Sequence, residues 1–158
     1  MRRIGYLRWF APMAAAFLLS GCAILNKQEL RPLPPTLSHA QLVVSANAWC
    51  KRDLRRTRKL KRPKNAQMVV RQLGIATNSL GHLIFHLRRL PPPPSDAVAY
   101  QQLLATANNE QLVATHLMQA IEQGRIHFAK NHAKRLVVVD KRFNARATAL
   151  GMDECAKG

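Results

Sequence analysis

From Asn65 to Pro94 the chain reads NAQMVVRQLGIATNSLGHLIFHLRRLPPPP. Within it Val69, Leu73, Ala76, Leu80, Leu83, Leu87 and Leu90 follow one another at alternating intervals of four and three. That spacing is an a/d seam sustained over three heptads, and Ile84 widens it. Asn65 stands where an N-cap belongs, because its side-chain oxygen can take an amide hydrogen of the first turn. Pro91, Pro92, Pro93 and Pro94 stop the helix: proline has no amide hydrogen and biases the residue before it away from α. The segment is one amphipathic helix whose apolar face must be covered by others.

Three further stretches supply the cover. Upstream, Ser38 to Leu60 carries the stripe Leu42, Ala46, Trp49, Cys50 and Leu54, the least regular of the four, and stops near Pro63. Downstream, Ser95 is the expected cap of a third helix with Asp96 in its first turn, where a negative charge meets the helix dipole favourably. Its stripe is Tyr100, Leu104, Ala107, Ala114, Met118 and Ile121, interrupted at Gln111 and closed by Gly124. The fourth helix sets Ile126, Ala129, Ala133, Leu136, Phe143, Ala147 and Leu150 on one face, with Asp140 the polar exception, and Gly151 follows as a left-handed cap. Val137-Val138-Val139 is β-branched but lies inside this helical pattern, and no stretch alternates convincingly with period two. Short connections between helices of similar length place neighbours antiparallel. The expected fold is all-α, an up-down-up-down four-helix bundle over residues 38–158.

What precedes the bundle has a different character. Residues 1–8 carry Arg2, Arg3 and Arg8 and no acid, and a short apolar run follows from Trp9 to Leu19. That run is roughly half of the about twenty residues a spanning helix needs, so it is expected to be a secretory signal of residues 1–21 rather than a permanent span. Its exit, Leu19-Ser20-Gly21-Cys22, resembles the bacterial lipobox. The resemblance implies cleavage before Cys22, a covalent diacylglyceryl group on its thiol, and an extracytoplasmic, lipid-anchored protein on the periplasmic face of a membrane or on an outer membrane. Residues 22–37 contain Arg31-Pro32-Leu33-Pro34-Pro35, a proline-stiffened tether between lipid and domain. With Cys22 taken by lipid, Cys50 and Cys155 are expected to pair, since disulfides persist in exported chains; two separate thiols are the alternative.

Lys and Arg number 25 against eight Asp and Glu, a formal charge of +17. The excess peaks between Lys51 and Lys64, where Lys51, Arg52, Arg55, Arg56, Arg58, Lys59, Lys61, Arg62 and Lys64 are opposed only by Asp53. Such a run suits an anionic partner: anionic lipid, a wall polymer or an envelope protein. Nucleic acid fits less well, because single-strand binders interleave several aromatics for stacking and Trp49 is the only one adjoining the run. In an up-down bundle the tether enters at the opposite end, so an upright domain would point this charge away from its own membrane. A tether reaching about 50 Å if fully extended also lets the domain lie over and press its basic end on anionic lipid, at about 1 kcal/mol per residue.

The ending Phe143-Asn144-x-x-Ala147-x-x-Leu150-Gly151-Met152-x-x-Cys155, with Asn47-Ala48-Trp49-Cys50 early and Pro92-Pro93-Pro94-Ser95-Asp96 in the middle, resembles a group of small, uncharacterised bacterial lipoproteins. The resemblance covers most of the chain after Cys22. It implies a disulfide-stapled four-helix domain outside the cytoplasm and no particular activity; the heavy charge of the first helix departs from the group.

Candidate chemistry is sparse. His82 and His86 stand four apart on the second helix, and with His116 on the third they form the alternative reading, a metal- or small-ligand-binding protein. Asp140 on the fourth seam is expected to be paired with Arg or Lys neighbours inside the bundle, with no second carboxylate to make an acid/base couple. No Cys-x-x-Cys-His haem motif, glycine-rich phosphate loop or strained nucleophile turn is present. The expectation is a non-enzyme without a cofactor other than the lipid on Cys22, and with no metal.

Overall fold

The computed structural model describes residues 35–157; the leader, the lipobox with Cys22 and most of the tether lie outside the described residues. Four helices follow in order: α1 (His39–Thr57), α2 (Ala66–Arg88), α3 (Ala97–Glu122) and α4 (Ile126–Ala149), with a short 3-10 turn at Cys155–Lys157. Each packs against the next in sequence, giving the up-down bundle. None of the helices among the described residues is long and apolar enough to cross a membrane.

Local chemistry explains most boundaries. Ser38 and Gln41 form a reciprocal capping box that opens α1, so two otherwise orphaned amides are satisfied. The helix ends at Thr57, three residues before the expected Leu60. There the Thr57 hydroxyl turns back onto the carbonyls of Asp53 and Leu54, and the chain leaves toward Pro63 without helical geometry. Asn65 caps α2 as expected, its Oδ1 accepting from the Met68 amide at 2.8 Å. The third cap differs: Asp96, not Ser95, is the N-cap residue, and its side chain caps nothing. Its carboxylate is engaged by His39 Nδ1 at 2.7 Å, which ties the start of α1 to the start of α3. Gly124 and Gly151 close α3 and α4 with φ of 66° and 71°, a region that L-residues with side chains avoid.

Burial is uneven along the bundle. The main core joins Leu42, Ala46, Leu83, Leu87, Tyr100, Leu103, Phe143 and Ala147 around the tether end, where the buried Tyr100 hydroxyl donates to the Leu87 carbonyl at 2.8 Å. A second, smaller cluster of Leu117, Ala120 and Ala129, with Leu73, Ile121 and Leu136 against it, lies toward the other end. Seam residues Val69, Leu73 and Ala76 are accordingly only half-buried. On α4 the upper face is rotated from the expected one: Ile126 is 61% exposed and Ala133 is exposed, whereas Val139 is buried. Residues 129, 136, 139, 143 and 147 follow the helix more closely than the expected set does.

The C-terminal segment completes the fold. After Gly151 the chain turns back along the bundle, Met152 is fully buried, and the Glu154 amide donates to Asn47 Oδ1 at 2.9 Å. Cys155 then joins Cys50 in a disulfide with Cα atoms 4.9 Å apart. The tail therefore climbs along the bundle from Gly151 to reach Cys50 on α1. No Cα of α1 lies within 8 Å of one in α4; the tail fills the space between them by touching both.

Candidate functional site

All nine basic residues of the 51–64 run are exposed. Lys51, Arg52, Arg55 and Arg56 stand on the last turns of α1, where positive charge complements the carboxyl end of the helix dipole. Arg58 is its C-cap, and Lys59, Lys61, Arg62 and Lys64 extend through the non-helical link to Asn65. A Gln72 side-chain amide donates to the Lys61 carbonyl and fastens that link to α2. The ion pairs among the described residues are His39–Asp96 and Lys157–Glu154, so no cation of the run is neutralised by one.

Asp53, the lone acid within the run, is held toward α2. It accepts from the Ser79 hydroxyl of α2 and lies half-buried; burial raises its pKa, while Ser79 and Arg56 pull the other way. It lines a cavity of about 220 Å³ between the two apolar clusters, together with Glu110 of α3 and Asp140 of α4. Leu54, Leu73, Leu80, Leu136 and Phe143 make its apolar walls, and the disulfide lies at its edge. Burial, then Asp140 and Asp53, push Glu110 up to about 7. Asp140 is also raised by burial, against the opposing effect of its 3.4 Å bond from the Asn144 amide. This corrects the expected setting of Asp140: its neighbours are Asn144 and other carboxyls rather than Arg or Lys, and a second carboxyl does accompany it. Glu110 was detectable as a polar residue three after Ala107 and four before Ala114 on the α3 stripe. Asp53 gave no such signal, since its place in a basic run read as simple charge balance.

The candidate metal ligands separate. His86 stacks on Trp49 of α1, with ring centroids 3.5 Å apart and planes 7° from parallel, and His82 is exposed on the same side of α2. His116 instead meets His132 of α4, 5.4 Å between centroids. Among the described residues no group of three or more His, Cys, Asp or Glu side chains is placed to hold a metal ion. The spacing of four between His82 and His86 was real, but the third histidine belongs to a different helix pair.

Around the Trp49–His86 stack the fold gathers further residues that the sequence did not connect. The Arg52 guanidinium lies 5.0 Å from the Trp49 ring centroid, and that of Arg89 lies 5.4 Å from Phe85, which in turn meets His86 edge-on at 5.4 Å. Phe85 is 54% exposed. Through Trp49 the basic run is thus joined to the His86 ring of α2, and beyond it to Phe85. Comparison of the chain with family models, curated proteins and solved structures finds no match.

Proposed function

We propose that the protein is a lipid-anchored module of the bacterial cell envelope, held at Cys22 and acting without catalysis by presenting its basic end to an anionic partner. The observation that carries this reading is the exposed run of nine cations, none in an ion pair among the described residues, on a scaffold closed by the Cys50–Cys155 disulfide. Anchorage is supported by the basic start, short apolar core and Leu19-Ser20-Gly21-Cys22 exit. Two acyl chains on one cysteine would suffice physically, since each buried methylene contributes about 0.8 kcal/mol and one chain alone binds only reversibly. A disulfide suits an exported domain, because reducing compartments keep such thiols apart.

Two measurements test the reading. The wild-type chain and Cys22→Ser are expressed in bacteria fed a clickable fatty acid; label and membrane association are expected for the wild type alone. A chain that stays unlabelled and soluble, with both other cysteines reduced, sinks the anchorage. For the basic end, elution from an immobilised sulfated polymer is compared with that of the variant combining Arg55→Gln, Arg56→Gln, Arg58→Gln and Lys59→Gln. Earlier elution of the variant is expected, and equal elution removes the basic run as the contact surface.

A further inference from the structure

The α1/α2 groove carries a surface that neither helix holds alone. From α1 come Trp49, Arg52 and Arg56, spaced three and four apart and so on one face. From α2 and its C-cap come His82, Phe85, His86 and Arg89, likewise on one face. The two sets meet at the Trp49–His86 stack, and among the described residues the charged neighbours acting on His86 are Arg89, His82, Arg52 and Arg56, with no carboxylate. Arg52, Phe85 and Arg89 are exposed, and none of these arginines is in an ion pair among the described residues.

The surface also has a direction. At its lower end, Phe85 and Arg89 stand beside the turn where the Leu37 amide donates to the Pro91 carbonyl at 2.9 Å, which is where the chain enters the bundle from its N-terminal side. At its upper end, Arg56 continues into Arg58, Lys59, Lys61, Arg62 and Lys64. Positive charge without an ion partner among the described residues thus marks both ends of the ledge, Arg89 below and Arg52, Arg56 and the 58–64 link above, along a helix of nineteen residues, about 28 Å, with three aromatic rings set into its tether-side half.

We infer that this α1/α2 ledge is a docking surface for an anionic lipid bilayer, on which the domain lies along its side. The inference rests on the lipid-anchored reading above and names the anionic partner of its basic end. Charge complementarity selects a polyanion, and the rings choose among polyanions. Indole and phenyl groups flanked by arginine favour the boundary between headgroups and acyl chains, where a ring is half solvated and a guanidinium reaches phosphate while its stem stays apolar. A soluble polymer would use the charges and gain little from an exposed Phe85. The chain from Cys22 to Pro35 spans at most about 45 Å fully extended, so an anchored domain can reach the surface in this pose. Of the two poses that helix order and tether length leave open, upright and lying over, the ledge selects the second and adds the aromatic rings to the contact.

Trp9 and Trp49 are the only tryptophans, so a full chain carrying Trp9→Phe reports from the ledge. That chain is mixed with vesicles of phosphatidylcholine, or of phosphatidylcholine with phosphatidylglycerol, containing lipids brominated close to the headgroup. Trp49 fluorescence is expected to be quenched by the anionic vesicles and not by the neutral ones, and to recover at high salt. Replacing Arg52, Arg56 and Arg89 with Gln should reduce partitioning roughly fivefold for each charge removed. Phe85→Ser should weaken it with the charge unchanged. Equal quenching in neutral vesicles overturns the inference, as does a Trp49 response to soluble polyphosphate with none to anionic vesicles. Mass analysis of Cys22 in the same sample separates the two readings. A chain without lipid whose Trp49 is still quenched by anionic vesicles sinks the anchor and spares the ledge. A lipidated chain whose Trp49 stays bright does the reverse.

Discussion

Glu110 illustrates how a single side chain in this protein is governed by its surroundings. It faces a cavity shared with Asp53 and Asp140, and burial lifts its pKa to about 7, whereas an unfolded chain would ionise it near 4.5. The folded state therefore holds a proton that the unfolded state gives up across that window. Stability from this group is complete below pH about 4.5 and is lost as pH rises through about 7. Glu110→Gln removes the titration, so its unfolding free energy should match the wild type at pH 4. It should exceed the wild type at pH 8, by on the order of 1–3 kcal/mol. Urea melts across that range check it, and parallel pH profiles would show that Glu110 is solvated in the native state. Gly151 is a second residue-scale case. Its φ of 71° suits glycine, and an added Cβ would find only ordinary contact with Val43 at 3.8 Å. Gly151→Ala should thus cost about 1–2 kcal/mol from backbone conformation alone. Gly151→Asn should cost less, because asparagine tolerates the left-handed region; thermal unfolding of the two variants distinguishes this from a steric clash.

At the scale of an element, helix ends do different work despite similar sequences. Asn65 opens α2 at its least buried end, with residues 65–67 exposed, so its bond to the Met68 amide has little packing behind it. Asn65→Ala should cost about 1 kcal/mol and should speed amide exchange in the first turn of α2. Asp96 occupies the matching position on α3 but spends its carboxylate on His39, an exposed partner. Asp96→Ala should cost less than Asn65→Ala, within the about 0–1 kcal/mol of a surface pair. Finding the reverse order would mean that the His39 contact, rather than the cap, holds the helix starts in place.

On the scale of the whole molecule, α1 is the element held least by other helices. It packs on α2 and on the C-terminal tail but not on α4, so the disulfide across a separation of 105 residues supplies what a fourth helix contact would. Cys50→Ser with Cys155→Ser should destabilise the domain by about 2–5 kcal/mol. The loss should be local in character: amide protection should fall first in α1 and the tail, while α2, α3 and α4 keep theirs. Uniform loss across all four helices would show a single cooperative unit in which α1 is as well held as the rest. The cavity follows from the same arrangement, because the tail separates α1 from α4 on the tether side and the helices do not close over the gap above it.

The four helices, their order, the caps at Asn65, Gly124 and Gly151, and the pairing of Cys50 with Cys155 could be read from the chain alone. Each is local, depending on residues within about a turn of one another, or follows from counting cysteines. The environments could not be read in this way. Asp53, Glu110 and Asp140 come from three helices and share a cavity only because of how each helix is rotated about its axis. Trp49 found His86, His116 found His132, and Asn47 found the Glu154 amide for the same reason. Rotation and register between helices are settled by packing the whole core at once, through contacts between residues far apart in sequence. Spacing along one helix identifies an apolar face but not which polar neighbour at its edge will turn inward.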